Sequence, residues 1–128
     1  MRLLLDTHAL LWWLAGDERL PVIVREAIAD DANEVLVSAV SAYEIVFKHR
    51  LGRLDDVDVL ISAFEPALLE RGLLPLAVSV AHAVRAGYLA PSHRDPFDRL
   101  LIAQAQVEGL ALVSNERLFD SFGVSRLW

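Results

Sequence analysis

Five acidic side chains stand beside apolar segments, at positions where a carboxylate either caps a helix or takes part in chemistry. They are Asp6, Glu44, Asp95, Asp98 and Glu116. If several of them meet, their like charges must be relieved, either by holding protons with raised pKa values or by binding a divalent cation. Because these candidate ligands are all oxygens and the chain has no cysteine, we expect Mg²⁺ or Mn²⁺ rather than structural zinc.

The elements that carry these acids are predicted from the alternation of short apolar runs with amphipathic stretches. Strands are predicted at residues 2–5, 34–38, 73–76 and 110–113, with a last edge strand at 124–128. Helices are predicted at 7–14, 21–31, 41–52, 56–72, 79–88, 96–109 and 116–121. Pro66 should kink or divide the fourth of these helices. This order predicts an α/β layered domain with a mainly parallel sheet.

In parallel sheets the working residues gather beyond the carboxyl ends of the strands. Asp6 ends the first strand, and Glu116 follows the strand at 110–113. Glu44 lies in the first turns of the helix after the strand at 34–38. If these strands are neighbours, Asp6, Glu44, Asp98 and Glu116 point into one crevice with Asp95 close by.

Each acid also has a structural interpretation. Asp95 suits an N-cap, since Pro96 then falls at the first helical position, and Asp98 would be the acidic partner of that cap. Ser41 and Glu44 form the S-x-x-E pattern of a capping box.

The structural interpretation differs between the other two acids, Glu116 and Asp6. Glu116 reads as an ordinary first-turn acid of a short helix. Asp6 is harder to explain structurally, because a carboxylate that ends a buried strand is costly to bury without a partner.

The composition narrows the class of protein. The chain has 128 residues, a formal net charge of −6 and 55% hydrophobic residues, which predicts one domain with a substantial core. The apolar start contains Asp6 and His8, so we reject a signal peptide, and charges interrupt every run long enough for a membrane helix. The absence of cysteine is most simply explained by a cytoplasmic location. The acidic charge by itself disfavours nucleic acid as a partner.

Four stretches resemble the PIN-domain family, and within it the VapC-type toxins of bacterial toxin–antitoxin pairs. They are "LLLDTHALLWWL", "VSAVSAYEIVFKHRLGRL", "SHRDPFDRLLIAQAQVEGLALVSNE" and "FGVSRLW". The resemblance covers nearly the whole chain. It implies that residues 1–128 form one PIN domain, a three-layer α/β/α sandwich with a short, mainly parallel central sheet. It implies a metal-dependent endoribonuclease whose carboxylates correspond to Asp6, Glu44 and Asp98, with Asp95 as an additional acid.

The chain departs from the family pattern at the fourth acid. The usual Thr-x-Asp turn is Ser114-Asn115-Glu116 here, which keeps a hydroxyl and a carboxylate but lengthens the acid by one methylene. We expect Glu116, together with Glu44, to shape the site or to hold a second metal ion. Thr7 and Ser41 are expected to hydrogen-bond the carboxylates or the attacking water.

The resemblance also implies partners. These are an RNA substrate, a cognate VapB-like antitoxin and a second copy of the chain in a homodimer, with no membrane contact. Candidate phosphate contacts are Lys48, Arg50, Arg53, Arg94 and Arg99. The helices that carry Trp12/Trp13 and Ile23/Val24/Ile28 are the candidates for an antitoxin groove.

Two other functions stay open at this stage. The altered Ser-Asn-Glu turn is compatible with a catalytically impaired PIN domain that acts as a binding module. A phosphatase with Asp6 as nucleophile is less favoured, because the residue two positions on is His8 and not a second Asp. No G-x-G-x-x-G or P-loop occurs, which argues against nucleotide-cofactor binding.

Overall fold

Strands and helices alternate along the chain in the computed structural model, which describes residues 1–128. The strands are β1 (Arg2–Leu5), β2 (Glu34–Ser38), β3 (Leu74–Leu76), β4 (Ala111–Val113) and β5 (Arg126–Leu127). The helices are α1 (Thr7–Ala15), α2 (Val22–Ala29), α3 (Ala39–Arg50), α4 (Asp58–Ser62), α5 (Phe64–Glu70), α6 (Val80–Tyr88) and α7 (Pro96–Glu108). A 3₁₀ helix, Arg117–Phe122, precedes β5. No helix has the length and apolar character that a membrane crossing requires.

The five strands form one sheet in the order β3-β2-β1-β4-β5, and every pair is parallel. The register places Leu5 of β1 beside Val37 of β2 and beside Val113 of β4. The next residue along each of these strands therefore emerges at the same edge of the sheet. These residues are Asp6, Ser38 and Ser114.

Side chains of β1 alternate between two hydrophobic cores, as the two-residue period of a strand requires. Leu3 and Leu5 enter the core that α1, α2, α4 and α5 cover. Leu4 enters the core on the other face, which α7 and Phe119 of the 3₁₀ helix cover. Helices therefore pack on both faces of a parallel sheet, which confirms the predicted three-layer α/β/α sandwich.

The start of α3 differs from the sequence prediction. The helix begins at Ala39, because the Ser38 hydroxyl accepts a hydrogen bond from the N–H of Val40 at 3.0 Å. Ser41 consequently lies inside the first turn, and the predicted capping box between Ser41 and Glu44 is wrong. Both side chains are thereby left to make other contacts.

The predicted helix at 56–72 is divided, as Pro66 led us to expect. α4 ends at Ser62 and α5 begins at Phe64, so Pro66 falls in the first turn of α5, where its missing N–H leaves no helical hydrogen bond unmade. Two elements near the end of the chain also differ from the prediction. The segment after Glu116 is a 3₁₀ helix, and β5 is reduced to two residues.

Candidate active site at the carboxyl edge of the sheet

Asp6 lies where β1 ends and α1 begins, and it is only 8% exposed. Its Oδ1 accepts a hydrogen bond from the N–H of Ala9 at 2.7 Å, so it is the N-cap of α1. Its own N–H donates to the carbonyl of Val113 at 3.0 Å, which ties it to β4. The backbone on both sides thus holds this carboxylate at the edge of the sheet.

Glu44 projects from α3 toward the first turn of α1. The Thr7 hydroxyl lies 2.6 Å from Glu44 Oε1 and 3.0 Å from the buried hydroxyl of Ser41. An ionised carboxylate only accepts, so the Thr7 proton goes to Glu44 and Ser41 donates to Thr7. Lys48 Nζ lies 2.7 Å from the other oxygen, Oε2. Thr7 therefore bonds a carboxylate directly, whereas Ser41 bonds Thr7 and no carboxylate. Both oxygens of Glu44 are engaged.

Asp98 lies in the first turn of α7 and faces the same edge. Its Oδ2 lies 3.0 Å from Nε2 of His93, a residue of the loop before α7. Asp95 is the N-cap of this helix, since its Oδ1 accepts from the N–H groups of Phe97 at 2.9 Å and of Asp98 at 3.4 Å. The capping interpretation thus holds for Asp95, while the Asp98 side chain bonds to His93 instead of completing a capping box.

The electrostatics place Glu44 near both Asp6 and Asp98. Burial raises the pKa of Asp6, although hydrogen bonds from the Ser114 hydroxyl and the N–H of Ala9 oppose the rise. Burial also raises the pKa of Asp98, against the effect of its His93 hydrogen bond. The charge of Glu44 adds to the rise at both Asp6 and Asp98, so each carboxylate feels the same neighbour.

The pKa of Glu44 itself is shifted in the opposite direction. Burial raises its pKa, but hydrogen bonds from Lys48 and Thr7 lower it by more, so the net pKa lies below the ordinary value. Asp6 and Asp98 are therefore the two acids whose negative charge is poorly compensated within the protein. A divalent cation would stabilise both of them.

The fourth predicted acid does not join this group. Glu116 is exposed, and its Oε1 accepts from the N–H of Leu118 at 3.2 Å, which makes it the N-cap of the 3₁₀ helix. Asn115 is exposed as well. Ser114 is fully buried, hydrogen-bonds Asp6 and accepts from the N–H of Glu116 at 3.0 Å. The Ser114-Asn115-Glu116 turn therefore contacts Asp6 through the Ser114 hydroxyl and not through the Glu116 carboxylate.

The donor set suits Mg²⁺ or Mn²⁺. No group of three or more His, Cys, Asp or Glu side chains is arranged as a ready metal cage. Mg²⁺ does not need one, because it keeps several waters and binds through one or two carboxylates together with substrate phosphates. Asp6 and Asp98 fit that description, since both are oxygen donors whose pKa is raised by burial and by the charge of Glu44.

Two of the candidate phosphate contacts are already engaged. The terminal nitrogens of Arg99 donate to the carbonyls of Ala86, Leu89, Ala90 and His93 at 2.7–2.8 Å and, at 3.5 Å, to Gly87. In this structure the Arg99 guanidinium holds the end of α6 and the following loop, so its contact with RNA stays a prediction that this geometry does not favour. Lys48 is paired with Glu44. The remaining three candidates, Arg50, Arg53 and Arg94, are exposed.

The predicted antitoxin groove is also revised. Val24 and Ile28 of α2 are buried in the core, and Ile23 alone is 61% exposed, so α2 does not line a groove with these three residues. Trp12 instead lines a cleft of about 650 Å³ between α1 and α4, together with Lys48 and Arg53 among others.

His93 is the neighbour of the site that the sequence did not reveal. No metal-ligand spacing involves it. The available signal is its position five residues before Asp98, in the loop that leads into α7. Such an irregular loop has no periodicity from which a side-chain pair can be predicted.

The sequence itself is related to characterised proteins. Residues 3–124 match the PIN domain. Over 122 residues the chain is 30% identical to "Ribonuclease VapC22" of Mycobacterium tuberculosis (strain ATCC 25618 / H37Rv), an alignment that covers 92% of this chain and 89% of that protein.

Solved structures share the fold at lower identity. A chain of VapBC2 from Rickettsia felis, bound to a DNA fragment from their promoter, superposes with a TM-score of 0.73 at 16% identity and covers 99% of this chain and 98% of that one. A chain of DNA-bound VapBC from Salmonella typhimurium gives 0.72 at 18% identity, with 99% and 97% covered. Together with the sequence match, these similarities confirm the resemblance drawn from the motifs: the chain belongs to the PIN-domain family.

Proposed function

We propose that this protein is an Mg²⁺- or Mn²⁺-dependent endoribonuclease and the toxin component of a toxin–antitoxin pair. The observation that carries the proposal is a pair of carboxylates at the carboxyl edge of a parallel sheet, the buried Asp6 and the half-buried Asp98, whose pKa values burial raises. The relative of 30% identity is named a ribonuclease, which supports RNA as the substrate.

Asp6 and Asp98 would hold the metal ion, with Glu44 shaping the site beside them. A bound ion would lower the pKa of a water molecule and offset negative charge on the scissile phosphate. The chain supplies orientation: Ala9 and Ser114 hold Asp6, while Thr7 and Lys48 hold Glu44. Attack by water leaves the RNA 2′-OH unused, so the products carry a 5′-phosphate and a 3′-OH.

RNA would approach the site across exposed basic side chains. Arg50 and Arg53 lie at and beyond the end of α3, and Arg94 lies in the loop before α7. With so few free cations and a net charge of −6, binding should be weak and should weaken further with salt. An unpaired loop is the favoured target, because its bases and backbone are accessible to a shallow site.

The test is RNA cleavage by purified protein that is free of any antitoxin. Total cellular RNA is incubated with Mn²⁺ or Mg²⁺, beside an EDTA control, and new 5′-phosphate ends are mapped by sequencing. We expect discrete ends that disappear with EDTA and with Asp98→Asn. The matched control is Asp58→Asn, which removes the same charge from an exposed residue paired with His49 outside the site.

The outcome also separates the alternative functions. If the folded protein generates no ends under any condition, the binding-module interpretation replaces catalysis. If the ends persist in EDTA, or in Asp98→Asn, the metal assignment is wrong. Hydrolysis of a phosphate monoester that depends on Asp6 would favour the phosphatase instead.

The same proposal includes two protein partners. Two relatives were solved as VapBC complexes, which supports a VapB-like antitoxin, and the cleft beside Trp12 is its proposed site. A homodimer is supported by an exposed apolar row on α3, in which Tyr43 and Phe47 stack with centroids 5.8 Å apart. Light scattering on the purified chain tests the dimer, and we expect Phe47→Glu to shift it to monomer.

A further inference from the structure

The His93 side chain is largely buried, although His93 belongs to the loop between α6 and α7. Its side chain is only 13% exposed. The ring makes edge contacts with Phe119 at 6.2 Å and with Phe122 at 5.8 Å between centroids, at interplanar angles of 67° and 82°. Both phenyl groups come from the 3₁₀ helix, so the ring is packed against a separate element of the fold.

The backbone of His93 is fixed as well. Its carbonyl accepts a hydrogen bond from Arg99 Nη1 at 2.7 Å, and Arg99 follows Asp98 directly in α7. The Nε2 atom then reaches Asp98 Oδ2 at 3.0 Å. Because the ring and the main chain are both constrained, this hydrogen bond sets the orientation of the carboxylate.

A second histidine–carboxylate pair shows what an ordinary surface contact looks like here. His49 Nε2 lies 3.3 Å from Asp58, whose side chain is 81% exposed. The His93–Asp98 pair is shorter, and its members are 13% and 30% exposed. Like the 2.8 Å contact of the buried His82 with Glu108, the His93–Asp98 contact is therefore a packed pair and not a loose surface contact.

We propose that His93 is a positioning residue for Asp98. Its Nε2–H donates to Oδ2 and leaves Oδ1 to face the crevice that Asp6 and Glu44 share. Carboxylates that bind metal ions are themselves hydrogen-bonded, and losing such a partner typically weakens metal binding or activity by about 10–100-fold. The inference rests on the proposed metal-dependent function, and it adds a residue that acts through Asp98.

The experiment measures Mn²⁺ affinity of the free protein by isothermal titration calorimetry. His93→Phe keeps an aromatic ring between Phe119 and Phe122 but has no donor. His93→Gln places an amide N–H at the distance of the histidine Nε2 and should restore the hydrogen bond. His49→Phe is the matched control, since it breaks a histidine–carboxylate pair, His49–Asp58, that lies outside the site. Thermal unfolding of each variant reports whether the fold is intact.

We expect His93→Phe to weaken Mn²⁺ binding by about 10–100-fold, His93→Gln to recover most of that loss, and His49→Phe to bind as the wild type does. Wild-type affinity in folded His93→Phe overturns the inference while leaving the metal site standing. If His93→Phe does not fold, weak binding by folded His93→Gln overturns it. If the wild type binds no Mn²⁺, the proposed metal-dependent function fails, and the inference fails with it.

Discussion

Replacing Arg99 tests whether this side chain supports the loop before the acid site or serves as a contact for RNA. Its terminal nitrogens make four hydrogen bonds of 2.7–2.8 Å to main-chain carbonyls between residues 86 and 93. The Ala86 carbonyl also accepts from the N–H of Leu89 at 3.3 Å, and a cation at this helix end complements the helix dipole. Removing the guanidinium therefore takes a charged donor from four main-chain carbonyls, three of them partly buried.

The size of the effect follows from these contacts. A hydrogen bond to a charged group contributes about 1.5–3 kcal/mol, and neighbouring bonds do not add fully. Some of the carbonyls will regain water in the variant. We therefore expect Arg99→Met to lower the free energy of unfolding by about 3 kcal/mol, equivalent to about 10 °C in Tm for a chain of this size. Arg99→Lys should lower the free energy of unfolding by about 2 kcal/mol, because a single ammonium group cannot reach as many carbonyls as the guanidinium does.

Urea unfolding followed by circular dichroism measures both values. The control is Arg94→Met, which makes the same change in charge at an exposed position of the same loop and should cost less than about 0.5 kcal/mol. A loss below about 1 kcal/mol for Arg99→Met, or equal losses at the two positions, would refute the structural role. Arg99 would then return to the candidate RNA contacts.

Three further results are expected from the acid site. Asp6→Asn and Asp98→Asn should abolish cleavage yet raise the free energy of unfolding near neutral pH. Because burial raises the pKa of both acids, the wild-type folded state loses stability as pH rises above the ordinary value of 3.8. The denaturant midpoints of the variants and of the wild type should therefore converge near pH 3. Glu116→Gln should reduce the cleavage rate far less than Asp98→Asn, since Glu116 is exposed and caps the 3₁₀ helix; equal losses in single-turnover assays would make it a metal ligand. Thr7→Val should cost about 1–3 kcal/mol in urea unfolding, because Glu44 and the buried Ser41 each lose a partner, and an unchanged midpoint would contradict the hydroxyl chain.

Much of the architecture was accessible from local pattern. The apolar runs of β1, β2 and β4 are short and buried, and amphipathic helices separate them, so strand–helix alternation alone predicts the three layers. The Asp95 cap and the division of the helix at Pro66 follow from side-chain chemistry that acts within four residues. The acids at the carboxyl edge follow from the parallel topology.

The start of α3 shows where local chemistry stops deciding. Ser38 and Ser41 are both good N-cap residues, and only Ser41 has the Glu three residues on that a capping box uses. Ser38 caps the helix because β2 ends there. Ser41 is then carried into the buried first turn, where it meets Thr7 from a different helix. The choice depends on the packing of α3 against α1, and the sequence of α3 does not contain that information.

The sequence by itself determined the fold class, the family and the positions of Asp6 and Asp98 at helix starts, because each depends on short-range periodicity or on contiguous motifs. Tertiary structure alone decided that His93 bonds to Asp98, that Arg99 holds main-chain carbonyls and that Glu116 turns to solvent. These contacts are made in irregular segments, where the direction of a side chain depends on how the loop lies against the 3₁₀ helix and α6. No repeat in the sequence encodes that direction, so it becomes defined only when the layers pack.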